Sequence, residues 1–183
     1  VQLAGTPVTT RVRDACGLWD INHGDVDILS MLLIQLGAAD TRLTIDALRT
    51  AREVDAGLLS KAQVRALPGM NSALYGHLGR DITVNCRADR IDPDFASATL
   101  LAAVPGLTSS QIAAIIEQRR VGPIDPGLLA SFAAYLSPGP GHTYEIVASK
   151  GFGPGSRVTR RAEVTLTYQP HQPYRILSWS NAE

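Results

Sequence analysis

Two stretches of the chain decide its fold: residues 64–70, which read VRALPGM, and residues 101–107, which read LAAVPGL. In each stretch the Pro ends the preceding helix, and the Gly after it permits a tight turn. The apolar residues on either side of the Pro-Gly pair lock two helices together. A helix is predicted after each turn, over residues 71–78 and 109–119. The repeat therefore predicts two helix-hairpin-helix units in the middle of the chain.

Further short helices are predicted between residues 23 and about 140. A Leu-rich helix is expected to stop at Gly37, and a second helix is expected to start at Asp40 or Thr41. Five apolar residues follow helical spacing in the first of these: Val26, Leu29, Leu32, Leu33 and Leu36. Capping residues mark four more helix starts. They are Ser60 with Gln63, Thr108 with Gln111, Asp92 before Pro93, and Asp125 before Pro126.

Both ends of the chain show the period-two alternation of β-strands. Val8, Thr10 and Val12 predict a strand near the N-terminus, followed by a turn over residues 14–17. Three C-terminal strands separated by Gly- or Pro-rich turns predict an antiparallel meander. The remaining strands are predicted over residues 82–84, 144–148, 158–168 and 174–179.

The order of these elements predicts an α+β fold with two domains. Residues 1–22 and 143–183 are expected to form a small, strand-rich body. Residues 23–142 are expected to form a helical domain inserted into that body, because helices run without interruption between the two strand-rich ends, apart from one short strand.

Composition and charge exclude several classes of protein. Hydrophobic residues make up 45% of the 183 residues, charged residues make up 19%, and the formal net charge is zero. A nucleic-acid binder that works by bulk charge is normally basic, and an acidic disordered chain carries a large net charge. The longest nearly continuous apolar run, residues 28–36, is much shorter than the about 20 residues that span a bilayer.

The Pro-Gly turns raise one alternative function, a helix-hairpin-helix nucleic-acid-binding protein. In hairpins that bind DNA, the turn amides and a nearby Lys or Arg hold a phosphate. Those turns usually carry a second Gly two residues after the first, followed by a basic residue. Residues 69–72 and 106–109 have neither feature. We therefore interpret the hairpins as packing units and expect no nucleic-acid partner.

The sequence contains no arrangement of side chains that indicates an enzyme. Residues 151–155, GFGPG, lack the ending of a phosphate-binding loop and are interpreted as a flexible hairpin loop. Asp20, Asp25 and Asp27 are compatible with a calcium site, and equally with carboxylates that favour the start of a helix. We predict no catalytic residue and no cofactor. The four histidines are scattered without the spacing of metal ligands: His23, His77, His142 and His171.

The ordered set of motifs resembles the minor pseudopilin K family of the type II secretion system, also called general secretion pathway protein K. The resemblance spans nearly the whole chain. It rests on residues 12–22 (VRDACGLWDIN), residues 59–78 with their Pro-Gly-Met, residues 81–84 (DITV), residues 91–119, and the C-terminal stretches 144–147, 160–164 and 174–179.

The resemblance implies a pseudopilin-like antiparallel sheet body with an inserted helical domain similar to a sterile alpha motif. It implies a structural function, at the tip of the pseudopilus, in protein secretion across the outer membrane. The expected partners are the minor pseudopilins I and J. The helical domain is too bulky to fit inside the filament, so the protein is expected to cap it.

The resemblance also implies a hydrophobic N-terminal helix before Val1. That helix would anchor the protein in the inner membrane, and the present residues would form its periplasmic domain. Some members of the family bind calcium at an acidic insertion. Residues 49–60 offer only Glu53 and Asp55, fewer ligands than the about six to eight oxygens that calcium prefers, so no calcium site is expected.

The two cysteines, Cys16 and Cys86, each follow a predicted strand and precede a predicted helix. If the strand near residues 8–12 pairs with residues 82–84, the two Cα atoms come within the bridging reach of about 4.4–6.8 Å. An oxidising periplasm would then join them. We predict this disulfide; the alternative is two buried free thiols.

Overall fold

The computed structural model describes residues 2–3, 6–53, 57–139, 141–153 and 156–181. The protein is a mixed α+β molecule with a four-stranded antiparallel sheet and several helices, which confirms the predicted class. Contacts divide the chain into two compact units. The sheet unit comprises Val1–Ala15 and Pro140–Glu183, and the helical unit comprises Cys16–Gly139.

The strands in chain order are β1 (Gln2–Leu3), β2 (Thr6–Pro7), β3 (Thr9–Asp14), β4 (Trp19–Asp20), β5 (Ile82–Thr83), β6 (Thr143–Gly153), β7 (Ser156–Gln169) and β8 (Gln172–Asn181). The helices are α1 (Val26–Gln35), α2 (Arg42–Glu53), α3 (Lys61–Val64), α4 (Ser72–Leu78), α5 (Ala98–Ala102), α6 (Ser109–Val121) and α7 (Pro126–Ala130). A short 3₁₀ helix, Ala15–Gly17, follows β3.

The sheet unit is built on one sheet in the order β3-β6-β7-β8, in which every neighbouring pair is antiparallel. The predicted C-terminal meander is confirmed, because β6, β7 and β8 are neighbours both in sequence and in the sheet. Strands β1 and β2 form a separate antiparallel pair. The hairpin loop that we interpreted at residues 151–155 lies partly outside the described residues, since the structure describes its first three positions only.

The helix signals are mostly confirmed. Gly37, with φ of +84°, follows α1, where the left-handed conformation favours Gly. The capping box at Thr108 is formed: its amide donates to Gln111 Oε1 over 3.0 Å, and its hydroxyl accepts from the Gln111 amide over 3.3 Å. The capping box at Ser60 is also present, and Asp125 caps α7.

One predicted helix start is wrong. Asp92 does not begin a helix; its carboxylate accepts from the amide of Asp94 within a local turn. Helix α5 instead starts after Ser97, whose hydroxyl accepts from the amide of Leu100 over 3.0 Å. A short Asp side chain stabilises a turn as readily as a helix N-terminus, and here the turn prevails.

The core of the helical unit forms around Trp19 and the leucines of α1. The Trp19 indole donates to the carbonyl of Asp25 over 3.0 Å, and the Arg52 guanidinium lies 5.5 Å from its ring centroid. Burial lowers the pKa of Arg52, and the nearby carboxylates of Asp20 and Asp25 partly offset that effect. The other fully buried large side chains include Leu18, Ile21, Ile28, Leu29, Leu32, Leu33, Leu48, Leu78, Ile82, Ile91 and Leu100.

The structure divides the two units after Ala15 and after Gly139. The first division was expected later, after residue 22. Residues 16–22 belong to the helical unit because Trp19 and Ile21 are fully buried in its core. Strand β4, in the same segment, pairs with β5 of that unit.

Candidate interaction surface

The register of the four-stranded sheet sorts its side chains onto two faces, because residues directly opposite in antiparallel strands point to the same side. One row across the sheet runs from Val12 through Ile146 and Ala162 to Trp179. We call the side that carries this row the apolar face. Its other apolar members include Tyr144, Ala148, Val158, Val164, Leu166, Tyr174 and Ile176.

Much of the apolar face is open to solvent, especially along its two edges. Val12, on edge strand β3, is 59% exposed, and Trp179, on edge strand β8, is 65% exposed. Tyr174 and Ile176, also on β8, are about half exposed. An apolar sheet face normally packs against another layer, and a contiguous exposed patch marks an interaction site.

The opposite side, which we call the polar face, is occupied by charged and hydroxyl side chains. Glu145 and Glu163 lie directly opposite each other there, and both are buried. The Arg13 guanidinium lies 3.0 Å from Glu145 Oε2, and Arg161 Nε lies 3.4 Å from Glu145 Oε1. Ser178 completes the group through a 3.5 Å contact with Glu163. The two faces of the sheet therefore differ in character, although the apolar face also carries Arg160 and the polar face also carries Val147.

Charge is distributed unevenly over the described part of the sheet unit. Its acidic residues, Asp14, Glu145 and Glu163, are all buried. Its exposed charged residues are all cations: Arg11, Arg157, Arg160 and Arg175. A chain with zero net charge thus presents a basic surface on this unit.

In the helical unit, Cys16 and Cys86 form a disulfide with a Cα–Cα distance of 5.1 Å. The strands that bring them together are not the expected ones. Strand β3 pairs with β6 of the C-terminal meander, whereas the short strand β4, just after Cys16, pairs with β5 in parallel. The two-residue strand β4 was too short to give a periodic signal.

The acidic residues near Asn22 serve the local fold. The Asp20 carboxylate accepts from the amides of Asn22, His23 and Arg87 at 2.8–3.1 Å, and His23 Nδ1 lies 3.0 Å away. Asp25 caps α1 through the amide of Asp27. Within the described ranges, no three His, Cys, Asp or Glu side chains come together as a metal site would require. The candidate calcium ligand Asp55, in contrast to Glu53, lies outside the described residues.

Each Pro-Gly turn joins two helices and packs against its own unit. Gly69 has φ of +81° and Gly106 has φ of +78°. Thr44 of α2 donates its hydroxyl to the carbonyl of Pro68 over 2.7 Å, and a Cβ on Gly69 would come within 2.7 Å of that hydroxyl. The first turn is therefore held by a neighbouring helix, as a packing unit would be. Near the second turn, Phe132 lies within 3.9 Å of where a Cβ on Gly106 would be.

The histidines are spread over both units. His23 pairs with Asp20, and His142 Nδ1 lies 2.8 Å from the hydroxyl of Tyr168. His77 lies in α4, and His171 lies in the turn between β7 and β8. Among the helices that the structure describes, none has the length and hydrophobicity needed to cross a membrane.

The exposed apolar side chains of β8 that share one face, Tyr174, Ile176 and Trp179, were not predicted as a common surface from the sequence. Alternation of Tyr174 and Ile176 identifies one side of that strand, but strict alternation places Trp179 on the other side. A register shift at Leu177 brings Trp179 back opposite Ala162 on the apolar face. The exposed aromatic residues were visible in the sequence, but their common face was not.

No known protein-family model matches this chain. A search of curated proteins also finds no match.

Proposed function

We propose that this protein is a minor pseudopilin of the K type, with a structural role at the tip of the type II secretion pseudopilus. The proposal rests on the ordered set of motifs, on the arrangement of strands and helices, and on one physical feature of the sheet unit. It requires neither a catalytic site nor a cofactor.

The open apolar face of the sheet carries the proposal. A sheet with one apolar side needs a second layer, and the resemblance to pseudopilins implies a hydrophobic helix before Val1. Neighbouring strands lie about 4.8 Å apart and a helix is about 10–12 Å wide, so one helix covers about two strands. We expect this helix to pack on the row through Ile146 and Ala162, on β6 and β7.

The helical unit supports the second part of the proposal, the position at the tip. It comprises Cys16–Gly139, so most of the chain lies between the strands β3 and β6, which are neighbours in the sheet. A subunit with so large an insertion between two paired strands is hard to fit into a filament, where other subunits stack above and below it. At the end of the filament the same bulk is accommodated, and it stops further addition.

An inner-membrane anchor with a periplasmic domain fits the cysteine chemistry. The disulfide between Cys16 and Cys86 suits an oxidising compartment such as the periplasm and not a reducing cytosol. The pseudopilin-like body and the inserted helical domain together form the architecture that this proposal assigns to the chain.

Deletion of the gene in its own organism tests the function. We expect proteins that normally cross the outer membrane to accumulate in the periplasm, and the complete gene to restore secretion. A matched complementation uses the complete gene with Leu43→Ala, a change of an exposed residue on α2 that should leave secretion intact. Normal secretion in the deletion strain would refute the proposal.

A further inference from the structure

We propose that the outer strand β8 is the docking surface for an acidic partner protein. The surface, which we call the β8 row, consists of Tyr174, Ile176 and Trp179 on the apolar face, with Arg160 beside it on β7. Arg175 lies on the same edge strand but on the other side of the sheet. The inference rests on the proposed function and on the expected partners, the soluble domains of pseudopilins I and J as a pair. It names where on this chain, and by what chemistry, that pair binds.

Strand β8 is open to solvent and has residue types that are common in protein interfaces. It is an edge strand of the sheet, and all of its residues are exposed except Leu177, which is partly buried. Tyr, Trp and Arg are the residue types that most often dominate the energetics of protein interfaces, whereas Lys, Glu and Asp are depleted there. Strand β8 contains the first three types and none of the last three.

The width of a helix decides which strands of the apolar face stay uncovered. A single helix over β6 and β7 leaves the two edge strands of the apolar face uncovered, because its width matches about two strands. On β3 the uncovered edge offers one large apolar side chain, Val12. On β8 it offers three, Tyr174, Ile176 and Trp179, each at least half exposed. The β8 edge therefore remains available after the sheet has received its own helix.

The exposed charges near β8 favour an acidic partner. Arg160 lies on the apolar side of the β8 row, where it donates to the side chain of Asn181, and Arg175 lies opposite Thr165 on the polar side. The described acidic side chains of the sheet unit are all buried, so the charged groups that its described residues expose to a partner are all positive. A partner surface with carboxylates around an apolar pocket matches this pattern, and a basic partner would be repelled.

The same features argue against a second copy of this chain and against strand addition. Two copies meeting at β8 would bring arginines of like charge together. Pairing along the backbone is interrupted at Leu177, where the register shifts, and Pro173 lacks an amide to donate. The side chains of β8, not its backbone edge, therefore make the contact.

Calorimetric titration of the purified I–J pair with the chain and its variants tests the inference. We expect Trp179→Ala and Arg160→Glu each to weaken binding at least about tenfold, because the first removes an apolar anchor and the second reverses a charge on the same face of the sheet. Raising the salt concentration from about 0.05 M to about 0.5 M should also weaken binding. Leu43→Ala and Arg42→Glu, matched exposed positions on α2, should bind like the unaltered chain.

Circular dichroism spectra and melting temperatures of Trp179→Ala and Arg160→Glu should equal those of the unaltered chain, since both side chains are exposed. If the unaltered chain binds and both variants bind equally well, this inference is overturned and the proposed function stands. If the unaltered chain does not bind the I–J pair, both this inference and the proposed function are refuted.

Discussion

Gly17 is placed where only a residue without a side chain fits. A Cβ at this position would lie 2.3 Å from Phe95 Cβ and 2.7 Å from the Phe95 carbonyl carbon. Because the second of these atoms belongs to the backbone, the conflict cannot be relieved by a change of rotamer. Phe95 lies in the segment between Asp92 and α5, so Gly17 fixes how closely that segment approaches the start of the helical unit.

Gly17→Ala should therefore destabilise the protein by about 1–3 kcal/mol, the usual cost of overpacking. Denaturant unfolding followed by circular dichroism measures the change. Gly76→Ala is the matched control: nothing lies within 4 Å of its Cβ position, and it sits in α4, where Ala should be neutral or stabilise by up to about 1 kcal/mol. If the two variants had equal free energies of unfolding, the steric conflict described between position 17 and Phe95 would be contradicted.

Asp20 connects two segments that are distant in sequence. Its side chain is 1% exposed, and its two oxygens accept from the amides of Asn22 and Arg87, among others. Arg87 adopts a left-handed φ of +62°, which is uncommon for a residue with a side chain. The carboxylate therefore holds the loop after β5 in a conformation that the chain would otherwise avoid.

Asp20→Asn should cost about 1–3 kcal/mol of unfolding free energy, because the new amide group faces N–H donors and leaves at least one of them unsatisfied. The same unfolding assay measures it. Asp46→Asn serves as a control at a carboxylate that is 62% exposed, where we expect little change. A loss at Asp46 as large as that at Asp20 would contradict the role given to Asp20.

At the scale of elements, local chemistry predicted most helices and the C-terminal strands. The capping boxes at Ser60 and Thr108 depend on side chains within one turn, so sequence alone identifies them. The partner of β3 depends instead on a contact across most of the chain, with β6. No local signal distinguishes that pairing from one with β5, which was considered as the condition for the disulfide and which the structure does not contain.

The disulfide ties the 3₁₀ helix before β4 to the loop after β5 across a sequence separation of 70 residues. A cross-link over a loop of this length should stabilise the native state by about 3–5 kcal/mol relative to the reduced chain. We expect the double variant Cys16→Ser with Cys86→Ser to lose about that much in denaturant unfolding. Reductant should destabilise the unaltered protein and leave the double variant unchanged.

Thiol titration of the denatured protein without reductant provides an independent reading of the same bond. No reactive thiol should be found, whereas two reactive thiols would reject the bridge and favour the free-thiol alternative.

At the scale of the whole molecule, the net charge of zero conceals a difference that only the structure reveals. The sequence shows where acidic residues stand, but not that Asp14, Glu145 and Glu163 are buried while their neighbouring arginines reach solvent. Burial of this kind arises from the register of β3, β6 and β7, which is a property of the assembled sheet. The alternation of residues 144–148 predicted one apolar side, but not that this side is left open.

We propose that a subunit with an open apolar face, a basic edge and a large helical unit between paired strands works within an assembly, the pseudopilus tip. The proposed helix packs on β6 and β7, whereas the proposed partner binds β8. Because they use different strands, both can bind the same sheet at once.

Sedimentation of the three soluble domains, mixed at tens of micromolar, tests that claim most directly. The account predicts a single complex that contains one copy each of pseudopilin I, pseudopilin J and this chain. An I–J pair that sediments without this chain, while circular dichroism shows the chain to be folded, would contradict it.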